Sequence, residues 1–206
     1  MCRQSDSAPR HHFENMKRKL LHPDQIITLR DYPLFNEHIL RIYFRIFAQN
    51  QGKILPPCPV IHKSLGIPFA NKKDIKSKKY NTLLKFFLDN HPHAKYFLLD
   101  GSHKTTAATL SHKLIPVVVI EQDKDFKEAR KLIKTGEFFG WYSVENSIKE
   151  ALNVLTKHHL GTNKFLTVED KAKLMVENKD VPNYIISFFK KHILQTTPPR
   201  GGESDK

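Results

Sequence analysis

The stretch Phe97-Leu-Leu-Asp-Gly-Ser-His-Lys-Thr-Thr-Ala-Ala-Thr-Leu110, followed by Ile115-Pro-Val-Val-Val-Ile120, constrains the fold more than any other part of the chain. Residues 96–99 read as a buried strand, Asp100-Gly101 as a tight turn, residues 105–113 as a small-residue helix, and residues 116–120 as a second apolar strand. Strand, helix and strand in succession predict a right-handed crossover within one sheet, with the turn at its open end. The first N–H groups of such a helix have no intrahelical acceptor, and the positive end of its dipole faces the turn. An anion is therefore expected at Gly101, Ser102, His103, Lys104, Thr105 and Thr106. Gly101 lets the backbone approach it, Ser102, Thr105 and Thr106 offer hydroxyls, and His103 and Lys104 add a donor and fixed charge.

The same residues resemble the phosphate-binding core of the ParB/sulfiredoxin superfamily, over about residues 20–122. That family includes partition proteins that bind CTP, sulfiredoxins that use ATP, and free-serine kinases. Sulfiredoxins carry a catalytic cysteine in Gly-Cys-His-Arg, where this chain has Ser102, so sulfinic-acid reduction is not expected. Partition proteins carry Gly-Glu-Arg-Arg and differ at all three positions after the glycine. The Asp-Gly-His-His-Arg of the serine kinases is closest to Asp100-Gly101-Ser102-His103-Lys104. The resemblance implies an α+β fold, a small mixed sheet with helices followed by a helical C-terminal subdomain. It also implies ATP or ADP with Mg²⁺, and phosphate transfer to a small hydroxylated acceptor.

In the serine-kinase branch a glutamate at the start of the first helix acts as base, some twenty residues before a Pro-x-x-Val strand. Glu37 stands twenty residues before Pro57 and takes that position; complementing the helix dipole is its structural alternative. Asp100, at the strand end, is a candidate catalytic and Mg²⁺-binding carboxylate, or else a turn residue that bonds the loop backbone. Ser102 lacks the setting of a hydrolase nucleophile, and a phosphate hydrogen bond suits it better. His62 and Lys63, after the strand at Pro57–His62, are placed in the same cleft.

Five lysines, Lys72, Lys73, Lys76, Lys78 and Lys79, fall within eight residues of an insertion spanning 64–95. They read as a solvated loop or as a polyanion patch, ahead of a helix marked by Tyr80, Leu84 and Phe87. A net charge of +13 is compatible with nucleotide or nucleic acid. The resemblance adds a second functional expectation, a DNA-associated nucleotide-binding protein of partition type in which these lysines grip backbone phosphates, and also permits a nuclease.

Asn36–Gln49 is apolar nearly all round and predicts a helix buried on most sides, with Asn36 as N-cap. The prolines of Pro57–His62 suit a strand entry or a sheet edge. The core domain spans residues 16–123, and helices marked by Phe126, Ile148, Thr167 and Pro182 make residues 124–195 a helical subdomain. Its last two helices allow a helix-turn-helix reading, but their apolar residues point to packing on the core. Trp141 reads as a core anchor. Residues 1–15 and 196–206 read as disordered tails.

Two cysteines, Cys2 and Cys58, support neither a disulfide framework nor a zinc site, and fit a reducing cytoplasm. The start of the chain has no apolar run of a secretory signal. The apolar run Ile115–Ile120 is too short to span a bilayer, and no membrane partner is expected.

Overall fold

The computed structural model describes residues 16–34, 36–135 and 144–196. Its five strands are β1 (Lys17–Leu21), β2 (Ile26–Ile27), β3 (Cys58–His62), β4 (Tyr96–Leu98) and β5 (Ile115–Ile120). The helices are α1 (Glu37–Ala48), α2 (Ile75–Asn90), α3 (Ser102–Leu110), α4 (Asp123–Lys134), α5 (Ile148–His159), α6 (Val168–Glu177) and α7 (Asn183–Thr196). The protein is a mixed α+β fold around one sheet of order β1-β5-β3-β4-β2.

Successive residues of a strand face opposite sides of its sheet. Val60, Leu98, Val117 and Val119 face one core with Leu40, Phe44, Ala107, Met175 and Phe189 of the helices α1, α3, α6 and α7. Ile61, Val118 and Ile120 face another with Phe126 of α4 and Ala151 of α5. Ile27 and Phe97 meet Tyr80, Leu84 and Phe87 of α2 and Leu155 of α5. Burial on both faces explains why β5 is an unbroken apolar run rather than an alternation. The described helices of the stretch 124–195, read in the sequence as a helical subdomain, divide between the two faces and share their cores with the sheet.

Three expectations are corrected, and one is narrowed. β4 and β5 do not form a crossover pair: β3 lies between them, antiparallel to β4 and parallel to β5. β3 is the central strand, so of the two places its prolines suit, entry and edge, the structure shows the entry: Pro57 precedes the strand and Pro59 is its second residue. The Pro59 carbonyl accepts from Leu99 N–H, so its missing N–H also points toward β4, just beyond the ladder that ends at Val60–Leu98. α1 buries one face only, through Leu40, Phe44 and Phe47, and leaves Ile42 58% exposed, because it lies in an outer layer. α3 starts at Ser102, three residues early, so Ser102, His103 and Lys104 form a helical turn instead of a loop.

Candidate functional site

The turn into α3 depends on one glycine. Gly101 caps the helix with φ 100° and ψ 30°, in left-handed backbone, and no side chain caps the N-terminus. A Cβ at Gly101 would lie 2.7 Å from the Cys58 sulfur. The Cys58 thiol is wholly buried, and that burial pushes its pKa up. The first bond of the helix runs from Thr105 N–H to the Gly101 carbonyl, so the N–H groups of Ser102, His103 and Lys104 precede the intrahelical ladder.

Ser102 is 7% exposed, and its hydroxyl has no hydrogen-bond partner among the described residues. The Thr106 hydroxyl is likewise buried and unpartnered among them. The Thr105 hydroxyl turns back to the Ser102 carbonyl at 3.1 Å. Lys104 is buried and donates to the Pro56 carbonyl at 3.0 Å, so its ammonium ties the turn to the entry of β3 while its charge stays close to Asp100.

The start of α1 meets the start of α3. Asn36 caps α1 by accepting from Ile39 N–H at 3.1 Å, and its backbone hydrogen-bonds the His103 ring. Two helix dipoles therefore present positive ends to one place. Glu37 occupies the first turn of α1, and its half-exposed carboxylate pairs with Arg41. Burial raises the Asp100 carboxyl, while a hydrogen bond from the Gly101 backbone and the Lys104 charge oppose the rise. Burial lowers the His103 imidazole, so its role at neutral pH is that of a hydrogen-bonding group more than a charge.

Three further residues belong to this neighbourhood. Asp31 lies close enough to raise both Asp100 and His103, and it pairs with Lys171 at 2.9 Å. Lys171 has no solvent exposure. It sits on the apolar stripe of α6, between Val168 and Met175, and a lysine at such a spacing is a sequence signal for a buried partner. Asp31, in a loop before Tyr32-Pro33, gives no such signal. Glu145 is 8% exposed, with an unpartnered carboxylate oxygen among the described residues. Burial raises its carboxyl, and Glu150 and Asp100 add to the rise.

His62 and Lys63 are not in this cleft. His62 ends β3 and Lys63 follows it, whereas Cys58 at the start of β3 touches Gly101, and His62 pairs with Tyr96 at the start of β4. Lys72 and Lys73 precede α2, Lys76, Lys78 and Lys79 lie on it, and all five are exposed. Trp141, Cys2, residues 1–15 and residues 197–206 lie outside the described residues. Among the described residues no three His, Cys, Asp or Glu side chains are grouped to hold a metal ion, and no helix is long and apolar enough to cross a membrane. No family model, curated protein or solved structure matches the chain.

Proposed function

We propose that the chain binds the phosphates of a nucleotide at the N-terminus of α3 and passes a phosphoryl group to a small hydroxylated acceptor. The observation that carries the binding is the buried Ser102 hydroxyl, unpartnered among the described residues in a helical turn without a side-chain cap. A buried hydroxyl left without a partner costs about 1–3 kcal/mol, and a phosphate oxygen supplies that partner. The converging ends of α1 and α3 add favourable potential for the anion.

Phosphoryl transfer asks the protein for positioning and electrostatics rather than covalent chemistry. The acceptor oxygen forms a bond to phosphorus as the bridging P–O bond breaks, and the acceptor proton passes to a carboxylate. Asp100, raised by burial, suits that proton, and Glu37 stands next to the residue that holds His103. Mg²⁺ would fit only together with bound phosphates: Asp100 would give it one carboxylate, and phosphate oxygens and water would supply the rest. Its chemistry would be the neutralisation of charge on the phosphates.

Calorimetric titration of the full chain with ATP, ADP and CTP plus Mg²⁺ tests this reading. Ser102→Ala is expected to weaken ATP or ADP binding by about tenfold to a hundredfold, the worth of a hydrogen bond to a charged group. Glu37→Gln is expected to keep nucleotide binding and to change stability by less than about 1 kcal/mol, because its partner Arg41 is surface-exposed. A fall in turnover in that variant assigns Glu37 to the chemistry. Absence of binding to all three nucleotides overturns the proposal.

The exposed lysines of residues 72–79 favour a second reading, a DNA-associated protein in which the nucleotide acts as a switch. CTP preference, together with DNA affinity that falls steeply with salt, would support it. Helices α6 and α7 bury Ala172, Met175, Ile185 and Phe189 in the core, so the patch on α2 is the better candidate for such contacts.

Thr106 distinguishes ligand binding from packing. Thr106→Val removes a fully buried hydroxyl without a partner among the described residues, and is expected to stabilise the free protein by about 1 kcal/mol in urea unfolding. Loss of stability in that variant would show that the hydroxyl is satisfied in the free protein.

A further inference from the structure

A further cleft lies where the segment after β2 meets the turn after α5. A cleft of about 250 Å³ is lined there by Thr28, Arg30, His159, Gly161, Asn163 and Lys164, among others. No acidic residue lines it. Its rim is basic: a Cβ on Gly161 would lie 3.3 Å from Lys76 Cε and 3.6 Å from an Arg30 guanidinium nitrogen. Arg30, Lys76 and Lys164 form no ion pair among the described residues. The carboxylate next in sequence, Asp31, is engaged by Lys171 at 2.9 Å.

Thr28 gives an independent indication. Its residue is 5% exposed, it lines the cleft, and its hydroxyl has no hydrogen-bond partner among the described residues. Its carbonyl faces His159 Nε2 at 3.2 Å, so the Thr28 backbone is held while the buried hydroxyl is left without a partner among the described residues. A buried hydroxyl and two cations lining one cleft, with a third cation at its rim, is the chemistry of an oxyanion receptor. The volume suits one phosphate with a small substituent.

We infer that this cleft binds a small phosphate monoester, with Arg30 and Lys164 on its charge, Lys76 at its rim and the Thr28 hydroxyl beneath it. The cleft shares no lining residue with the site proposed at α3, although the Asp31–Lys171 pair lies near both. It also gives Lys76 a role distinct from that of the other lysines of residues 72–79.

The test is amide chemical-shift perturbation in the ¹⁵N-labelled full chain, titrated with inorganic phosphate and with glycerol phosphate. Both probes are expected to shift Gly161, Thr162 and Lys164 saturably in the millimolar range or below. Arg30→Gln and Thr28→Val are each expected to weaken that response by about tenfold, and Ser102→Ala to leave it unchanged. If phosphate shifts only Ser102–Lys104, or if the Gly161–Lys164 response ignores both Arg30→Gln and Thr28→Val, the proposal is overturned. It is overturned as well if phosphate leaves the turn unshifted and Arg30→Gln lowers the melting temperature, since Arg30 and Lys76 then only answer the carbonyl end of α5. Chemical shifts of the variants without ligand report directly whether each one folds.

Discussion

Gly101→Ala is expected to destabilise the protein by about 2–5 kcal/mol. A non-glycine residue in left-handed backbone costs roughly 1–2 kcal/mol, and forcing a methyl group into a packed site costs about 1–3 kcal/mol more. Both apply here, because φ is 100° and the added carbon would meet the Cys58 sulfur at 2.7 Å. Against a total stability of about 5–15 kcal/mol for a domain, such a loss removes a large share. Urea unfolding of Gly101→Ala, Cys58→Ala and the double variant separates the two causes. Cys58→Ala takes away the sulfur, so the double variant should recover the steric part as a coupling of about 1–3 kcal/mol. Gly101→Ala within about 0.5 kcal/mol of the parent chain would mean that the turn does not require its glycine. Nucleotide binding is expected to fall with the same substitution, since the Ser102 N–H and hydroxyl are positioned by this turn.

The second large effect is expected at the ion pair that backs the site. Asp31→Asn leaves the Lys171 ammonium buried with no carboxylate beside it, which costs about 3–5 kcal/mol at neutral pH. Lys171→Met is expected to cost less, because Asp31 keeps 24% of its side chain exposed and can be hydrated. The double variant Asp31→Asn, Lys171→Met should return to within about 1 kcal/mol of the parent, as replaced buried pairs commonly do. The pH profile carries a sign. Burial holds Lys171 below its ordinary 10.5 in the folded chain, with Asp31 opposing that fall. Between the lowered value and 10.5 the unfolded chain binds more protons, so this lysine makes stability rise with pH across that window. Asp31→Asn removes the opposing charge and extends the window downward. Its deficit should therefore shrink as the pH is raised toward 10.5, measured by urea unfolding at several pH values. A deficit that stays constant with pH would show that Lys171 does not titrate within the folded chain.

Much of the fold was legible because the pattern of burial is local. The unbroken apolar run of β5 announced a strand covered on both faces, and Asn36 and Thr167 announced helix starts that the structure forms with their side chains as caps. What escaped was non-local. β1 carries Lys17, Arg18 and Lys19 and gains its place by pairing with β5, and β2 is two residues long. The insertion of β3 between β4 and β5 follows from no periodicity in the chain, so the order of strands had to come from the structure. The candidate site divides in the same way. Gly101 to Thr106 were legible as one continuous motif, whereas Asp31, Glu145 and Lys171 reach it from distant segments. Lys171 alone left a trace, as a cation on an apolar stripe.

The order of the strands also sets a schedule for synthesis. β1 has one neighbour in the sheet, β5, and Lys17 pairs with Val119. A ribosome adding about 5–20 residues per second therefore makes β1 several seconds before its partner exists. The parallel pairing of β3 with β5 waits for the same residues. Until Ile120 has left the exit tunnel, only β4 with its neighbours β3 and β2 can assemble, and the emerging chain carries an unmated N-terminal strand. The positive charges of Lys17, Arg18 and Lys19 suit that interval, because like charges keep two nascent strands of neighbouring chains from joining edge to edge.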